Sequence, residues 1–223
     1  MVKLVLLGGG GHASDVLGLI EDVNAHGDAP TIEIVGLVSK DVPEENRFKH
    51  RRIPRLESLE VALRLGATHG LVAVGDSRER SRVVYEELFG LGSPSLVHPQ
   101  AAAGTGCTFG NGTVILGGSR FSPNVSVGEH VYISHGVLVG HDAIIEDFAT
   151  LLPGAIVSGG VTVKIGATIG SGAVILPNLV IGTGAQVGAG AVVLSNVREN
   201  RTVVGVPAKE TGSSQQIWSS NYK

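Results

Sequence analysis

Cysteine and aromatic residues are scarce in this chain, and neither sign of charge dominates it. Among 223 residues there is one cysteine, Cys107, so an internal disulfide and a zinc site built from several thiolates are excluded. A cytoplasmic location is the simplest expectation. The net charge of −3 gives no reason to expect a nucleic-acid partner. No run of about 18 apolar residues occurs, and the N-terminus lacks the pattern of a signal peptide, so we expect no membrane span.

Glycine is abundant, and bulky apolar residues recur at every sixth position between Phe109 and Val193. Neither an α-helix nor an ordinary strand has this period, whereas a hexapeptide repeat does. The pattern predicts a left-handed parallel β-helix of triangular cross-section, in which the apolar anchors point inward. The residue four places after each anchor is usually small, and we expect it to let the chain turn. Most enzymes known with this coil are acyltransferases.

The chain divides into three predicted parts. Residues 1–98 alternate between apolar strands and amphipathic helices, which is typical of a small Rossmann-like α/β domain. Residues 99–211 contain the repeats. Residues 212–223 form a polar tail.

A glycine turn, Gly8 to His12, follows the first strand and precedes a helix. Glycines permit close approach of the backbone to a ligand, and a helix N-terminus offers free N–H groups to a phosphate. The turn is not a dinucleotide fingerprint, and the second strand ends in Ser39 and Lys40 rather than an acid, so NAD is not expected. A strand-to-helix turn without a ligand is the simpler alternative.

His141 and Asp142 lie together at one corner of the predicted coil, because Val139 is the anchor before them. A histidine has no packing role at such a position, and an adjacent carboxylate can orient it as a general base. A solvated surface histidine is the alternative reading. His130 and His135 are competing candidates for the base.

Two further patterns leave alternatives open. His130 and His135 have the spacing of a zinc site in trimeric carbonic anhydrases of the same coil, with His98 upstream, but they fall at different phases of the repeat. No metal is therefore expected. Lys209 follows Pro207 just beyond the last repeat, and it either marks the exit of the chain or meets a phosphate.

Together these motifs resemble the NeuD/PglD-type sugar acetyltransferases, over about residues 2 to 211. The resemblance rests on the glycine turn, the Val74–Asp76 segment, the His141–Asp142 pair and the closing GVPAK, among other segments, in this order and spacing. It implies a homotrimer with active sites between neighbouring coils, acetyl-CoA as co-substrate, and a nucleotide-linked amino sugar as acceptor. It also implies that residues 1–98 bind the sugar or nucleotide sugar and that residues 99–211 are the catalytic domain, which binds the cofactor. The alternative activities are O-acetylation of a sugar of the sialic-acid type and zinc-dependent chemistry.

The resemblance also assigns residues. His141 would act as general base with Asp142 raising its basicity, and the Gly159 N–H would stabilise the oxyanion. Cofactor contacts are expected at Gly159, Ser171, Ala189, Thr150 and Lys209. Substrate contacts are expected at Gly10, Gly11, His12, Ser39, Lys40, Gly75, Asp76, Ser134 and His135. Many family members have paired acids at positions 39 and 40, Asn-Thr at 134 and 135, and His at 150. This chain has Ser39, Lys40, Ser134, His135 and Thr150 there, and the first two of these differences concern the acceptor.

Overall fold

A computed structural model describes residues 1–27, 30–40, 48, 50–88, 90–213 and 218. Most of the predicted tail lies outside these residues. None of the three helices in the described part of the chain has the length and apolar character that a bilayer crossing needs.

The N-terminal unit consists of β1 (Val2–Leu7), α1 (Gly11–His26), β2 (Ile32–Val38), β3 (Arg55–Leu56), α2 (Leu59–Arg64), β4 (His69–Val72) and α3 (Ser77–Glu87). Its four strands form a parallel sheet in the order β3-β2-β1-β4. Side chains alternate along β1, so the sheet packs against helices on both faces: Leu4 and Leu6 pack with α1, while Val5 and Leu7 pack with α2 and α3.

The rest of the chain forms the predicted β-helix, in which most strands are two residues long and pair with the strand 18 residues later. One face, which we call the docking face, packs against α1. It contains β5 (Leu96–Val97), β8 (Val114–Ile115), β11 (Tyr132–Ile133), β14 (Thr150–Leu151), β17 (Thr168–Ile169), β20 (Gln186–Val187) and β22 (Arg201–Val204), with β23 (Lys209–Ser213) antiparallel at its end.

The second face, which we call the apolar face, carries several exposed aliphatic side chains, including Leu138 and Ile156. It contains β6 (Ala102–Ala103), β9 (Arg120–Phe121), β12 (Leu138–Val139), β15 (Ile156–Val157), β18 (Val174–Ile175) and β21 (Val192–Val193). The third face contains β7 (Thr108–Phe109), β10 (Ser126–Val127), β13 (Ile144–Ile145), β16 (Thr162–Val163) and β19 (Val180–Ile181).

The corners of the coil differ from the expectation in one respect. The anchors are buried as predicted, but the small residues four places later are buried too, for example Ala143 and Ala155. The chain turns one residue earlier, where the backbone is left-handed, as at Gly136 and Asp142. The small residues are therefore selected because they fill the narrow interior beside each corner, and the left-handed turn favours glycine, asparagine or aspartate before them.

Three corners result, and we name each by its left-handed residues. The glycine corner joins the docking face to the apolar face and contains Gly118, Gly136, Gly154, Gly172 and Gly190. The histidine corner follows the apolar face and contains Gly106, Asn124, Asp142, Gly160 and Asn178, with His141 beside Asp142. The aromatic corner leads back to the docking face and contains Gly112, His130, Phe148, Gly166 and Gly184.

The two units are joined by buried polar contacts from α3. Ser77 Oγ donates to the carbonyl of Gly166 in the coil. The guanidinium of Arg80 donates to the carbonyls of His130, Phe148 and Ala149 and also to those of Val74 and Gly75, which belong to the N-terminal unit. The strand Leu96–Val97, which precedes residue 99, already pairs within the coil. The N-terminal unit is thus held in a fixed position on the docking face.

Candidate active site

His141 and Asp142 form a hydrogen-bonded pair on the histidine corner. His141 Nδ1 lies 2.7 Å from Asp142 Oδ2, and the two side chains are 70% and 59% exposed. The hydrogen bond from His141, followed by one from the Asn124 amide, lowers the pKa of the Asp142 carboxyl. With Nδ1 donating to the carboxylate, the lone pair of Nε2 is left to accept a proton from a bound substrate.

Gly159 lies directly beneath the imidazole, one coil further on. A Cβ at this position would be 2.6 Å from His141 Nε2, so glycine is needed there to leave room for the ring. Among the described residues, no backbone acceptor is bonded to the Gly159 N–H. This N–H and His141 Nε2 therefore flank one patch of surface, which is the arrangement that a base and an oxyanion donor require.

The other predicted cofactor contacts lie at different places. Ser171 and Ala189 lie next to each other on the glycine corner, across the apolar face from Gly159. Lys209 is exposed on β23. The predicted cofactor contacts therefore lie on two different corners of one chain.

Thr150 is placed where a cofactor cannot reach it, contrary to the expectation. Its side chain is 2% exposed, and its hydroxyl accepts a hydrogen bond from Arg80 Nη2. The reason is its position on the docking face, where α3 covers it. Thr150 is a contact between the two units of the chain.

The glycine turn lines a cleft of about 680 Å³ in the N-terminal unit. Predicted substrate residues that border it are Gly10, Gly11, His12, Ser39, Lys40 and Gly75. Gly8, which also borders it, has φ 129°, and a Cβ there would lie 2.6 Å from the Ala73 carbonyl, so the turn requires glycine at this point. The helix α1 begins at Gly11 with no acidic residue in its first turn, which leaves its N-terminus favourable for an anion.

Charged side chains border the other end of the cleft. The acids that the sequence lacks after the second strand are supplied by α2, α3 and the residues before α2, since Glu57, Glu60, Glu79 and Glu87 all line it. Lys40 Nζ lies 2.7 Å from Glu87 Oε1. Arg82 pairs with Glu79 at 2.6 Å on the same wall. The cleft therefore offers both signs of charge to a polar ligand.

His12 connects the cleft to the coil. Its ring lies 4.1 Å, between centroids, from that of Tyr132, whose hydroxyl donates to Asp15 Oδ2 at 2.8 Å. Burial, followed by the charge of Arg80, lowers the pKa of His12, so its imidazole is neutral at pH 7. Its buried Nε2 has no hydrogen-bond partner among the residues that the structure describes.

The three other predicted substrate residues, Asp76, Ser134 and His135, lie at different places in the fold. Asp76 caps α3, with its Oδ1 accepting from the Glu79 N–H at 2.8 Å, and it does not line the cleft. Ser134 is buried on the docking face beside the Tyr132 hydroxyl. His135 is exposed on the glycine corner, in the same column as Ser171.

The histidines of the zinc alternative do not converge. The ring of His130 is stacked on Phe148 at 5.4 Å, and His98 Nε2 lies 3.0 Å from Asp22. Within the described ranges, no cluster of three or more His, Cys, Asp or Glu side chains could hold a metal ion.

Sequence reasoning missed Asn124, Arg80 and Tyr132. The repeat contained a signal for Asn124, because it precedes Asp142 by 18 residues, which is one full coil. Arg80 and Tyr132 had no such signal, since their roles depend on how the N-terminal unit packs against the coil.

Comparison with known proteins gives matches at the level of structure. No protein-family model matches the sequence, and no curated protein matches it. Perosamine N-acetyltransferase from Caulobacter crescentus, solved with CoA and GDP-perosamine, is 27% identical, with 96% of this chain and 98% of that one covered and a TM-score of 0.82. Its structures include variants in which one histidine is replaced by asparagine or alanine.

Two further structures match as completely. The acetyltransferase domain of PglB from Neisseria gonorrhoeae is 26% identical, covering 94% of this chain and 100% of that one, with a TM-score of 0.78. WeeI from Acinetobacter baumannii is 25% identical, with the same coverage and a TM-score of 0.79.

Fold, site and matches together define the class: the chain is an acyltransferase with a left-handed β-helix of hexapeptide repeats. Within that class it is similar to the sugar N-acetyltransferases, along nearly its whole length. The resemblance drawn from the sequence is confirmed.

Proposed function

We propose that this protein transfers the acetyl group of acetyl-CoA to the amino group of a nucleotide-linked amino sugar, with His141 as general base. The observation that carries the proposal is the His141–Asp142 pair above Gly159, since it places a proton acceptor beside an N–H donor on an accessible corner. GDP-perosamine and CoA are bound by a similar protein, which supports this pair of substrates.

The reaction needs one proton transfer. The neutral amine of the sugar attacks the thioester carbonyl while His141 Nε2 takes a proton from the nitrogen, and the Gly159 N–H donates to the developing oxyanion. Collapse of the tetrahedral intermediate breaks the C–S bond, and the proton passes to the CoA sulfur. The products are the acetamido sugar and CoA, with no covalent enzyme intermediate.

The N-terminal cleft is the proposed site of the nucleotide. Its phosphates would lie at the N-terminus of α1, near Gly10 and Gly11, and the nucleoside would lie toward Lys40, Glu57 and Glu60. His12 and Gly75 would lie between the nucleotide and the coil. In this proposal residues 1–98 hold the acceptor, and residues 99–211 hold the cofactor and carry out the chemistry.

We further propose that the working enzyme is a homotrimer. The apolar face is bordered by the histidine corner on one side and by the glycine corner with Ser171 and Ala189 on the other. If the apolar faces of neighbouring chains pack together, the histidine corner of one chain meets the glycine corner of the next. A cofactor could then contact Gly159 of one chain and Ser171 of its neighbour.

A thiol-release assay tests the function. Purified protein with acetyl-CoA is offered nucleotide amino sugars that differ in base and sugar, together with free amino sugars and sialic acid. We expect CoA release with one nucleotide amino sugar, and mass spectrometry of the product to show one added acetyl group on nitrogen. Turnover confined to a hydroxyl acceptor would contradict N-acetylation, and absence of both CoA binding and turnover would contradict the function altogether.

Substitution of His141 tests the base. His141→Ala should lower kcat by about a hundredfold to ten-thousandfold, the usual contribution of a general base, with little change in the affinity for acetyl-CoA. His26→Ala, at the exposed end of α1, is the control and should retain parental turnover. Full activity of His141→Ala would show that another group accepts the proton, and His135→Ala would be the next variant to measure.

A further inference from the structure

The left-handed positions of the histidine corner stack in a column. Gly106, Asn124, Asp142, Gly160 and Asn178 follow each other at intervals of 18 residues, with φ values between 59° and 78°. Parallel rungs of a coil are about 4.8 Å apart, so side chains in such a column lie within reach of one another. Asn124 is therefore the neighbour of Asp142 from the coil before.

Asn124 is bonded directly to the carboxylate that contacts His141. Its Nδ2 donates to Asp142 Oδ1 at 3.1 Å, while Asp142 Oδ2 lies 2.7 Å from His141 Nδ1. Each carboxylate oxygen thus has its own partner. The orientation of the amide is chemically determined, because an ionised carboxylate only accepts hydrogen bonds and must face the NH₂ group.

The surroundings of Asn124 leave room for its side chain in this position. A Cβ on Gly106, one coil earlier, would lie 2.8 Å from Asn124 Oδ1, so glycine leaves the space that the amide oxygen occupies. The two corners are also joined through the backbone, since the Asp142 N–H donates to the carbonyl of Pro123 at 3.1 Å. Asparagine tolerates the left-handed backbone that this position imposes.

A restraint on Asp142 has a chemical consequence because the pair is exposed to water. A free carboxylate in solvent can rotate about its Cβ–Cγ bond and exchange its partner for water. An amide that occupies Oδ1 keeps Oδ2 directed at Nδ1, which fixes both the ring orientation and the tautomer of His141.

We propose that Asn124 is a positioning residue of the active site, which orients the Asp142 carboxylate so that Asp142 orients His141. This inference rests on the proposed role of His141 as general base. Asn124 touches neither substrate nor cofactor in this arrangement, and it acts through Asp142 alone.

Two glycine substitutions test the proposal against a matched control. Asn124→Gly removes the amide and keeps a residue suited to the left-handed backbone. Asn178→Gly makes the same change in the same column, at φ 61° against 62° for Asn124, but two coils away from Asp142. We expect kcat to fall roughly tenfold in Asn124→Gly, within the hundredfold that misplacement of a catalytic group can cost. KM for acetyl-CoA and the activity of Asn178→Gly should stay within about twofold of the parent.

A double-mutant cycle separates positioning from a general structural effect. In an Asp142→Gly background, Asn124→Gly should cause no further loss of kcat, because the group through which it acts is gone. An equal loss in both backgrounds, or no loss in either, overturns the proposal. Asn124→Asp provides a second measurement if the glycine variant folds poorly, and it should also lower kcat, because its carboxylate repels Asp142.

The same data distinguish failure of this inference from failure of the proposed function. If His141→Ala and Asp142→Gly both leave turnover unchanged, the assignment of the base is wrong and Asn124 has nothing to position. If both abolish turnover while Asn124→Gly matches the parent, the base stands and the positioning role alone is wrong.

Discussion

At the scale of single residues, several left-handed corners of the coil have a residue other than glycine. Glycine adopts this backbone freely, whereas another residue there costs on the order of 1 kcal/mol. Four exceptions on the coil make a side-chain contact: Asn124 with Asp142, His130 with Phe148, and Phe148 in turn with Tyr85 and Trp218. These four mark corners at which side chains pack together or belong to the proposed site.

His130 makes the stability of the fold depend on pH. Burial, followed by the charge of Arg80, lowers its pKa to about 4 from an ordinary value of 6.5. Between these values the unfolded chain binds a proton that the folded chain does not, so stability is complete above pH 6.5 and falls as the pH drops toward 4. The loss should reach about 2 kcal/mol at pH 4.5.

His130→Asn tests this dependence because asparagine accepts the left-handed corner and does not titrate. Urea unfolding of both proteins from pH 7.5 to 4.5 should show a smaller decline in the free energy of unfolding for the variant. Parallel curves would show that other groups, such as His12, account for the acid sensitivity.

Gly159→Ala probes the space beneath the catalytic histidine. The added methyl would meet the His141 ring at 2.6 Å, so the imidazole must rotate away from its position over the Gly159 N–H. We expect kcat to fall by about a hundredfold with the fold intact. Gly18→Ala is a suitable control, since the nearest atom to its Cβ is 3.9 Å away. Parental turnover in Gly159→Ala would mean that the ring does not work from this position.

At the scale of elements, the six-residue period predicted the strands and the buried anchors because each coil is determined by local geometry. The period also placed His141 and Asp142 at a corner, with His135 at the same phase one face earlier. The period could not predict contacts that depend on how the N-terminal unit packs against the coil. Arg80 is an example: it lies on a helix rich in charged residues, yet it is 2% exposed because coil carbonyls meet α3 there.

Arg80 should therefore be the most sensitive position of α3. Burial lowers its pKa to about 10, so it stays charged at pH 7, with carbonyls rather than a carboxylate as its hydrogen-bond acceptors. Arg80→Met leaves those carbonyls without donors, and we expect a loss of about 3 kcal/mol in the free energy of unfolding. Arg78→Met, on the exposed side of the same helix, should change it by less than about 0.5 kcal/mol. Urea unfolding of both variants checks this, and equal effects would contradict the role of Arg80.

At the scale of the whole molecule, the docking face and the apolar face of the coil differ in what lies against them. The N-terminal unit covers the docking face, and the apolar face retains exposed aliphatic side chains between two corners that both carry candidate site residues. In a single chain these corners are separated by the width of that face. In the proposed homotrimer, a complete site combines the histidine corner of one copy with the glycine corner of another, and we therefore expect activity to depend on assembly.

Mixed assemblies test this condition directly. His141→Ala disables the histidine corner, and Ser171→Trp should block the glycine corner, so each variant alone is expected to be nearly inactive while light scattering shows the mass of a trimer. In random mixed trimers about one quarter of the interfaces would combine an intact histidine corner with an intact glycine corner, because each occurs with a frequency of one half. Co-expression of the two variants should thus restore about a quarter of parental turnover. A site formed within one chain would give no recovery, since every chain would carry one disabled corner.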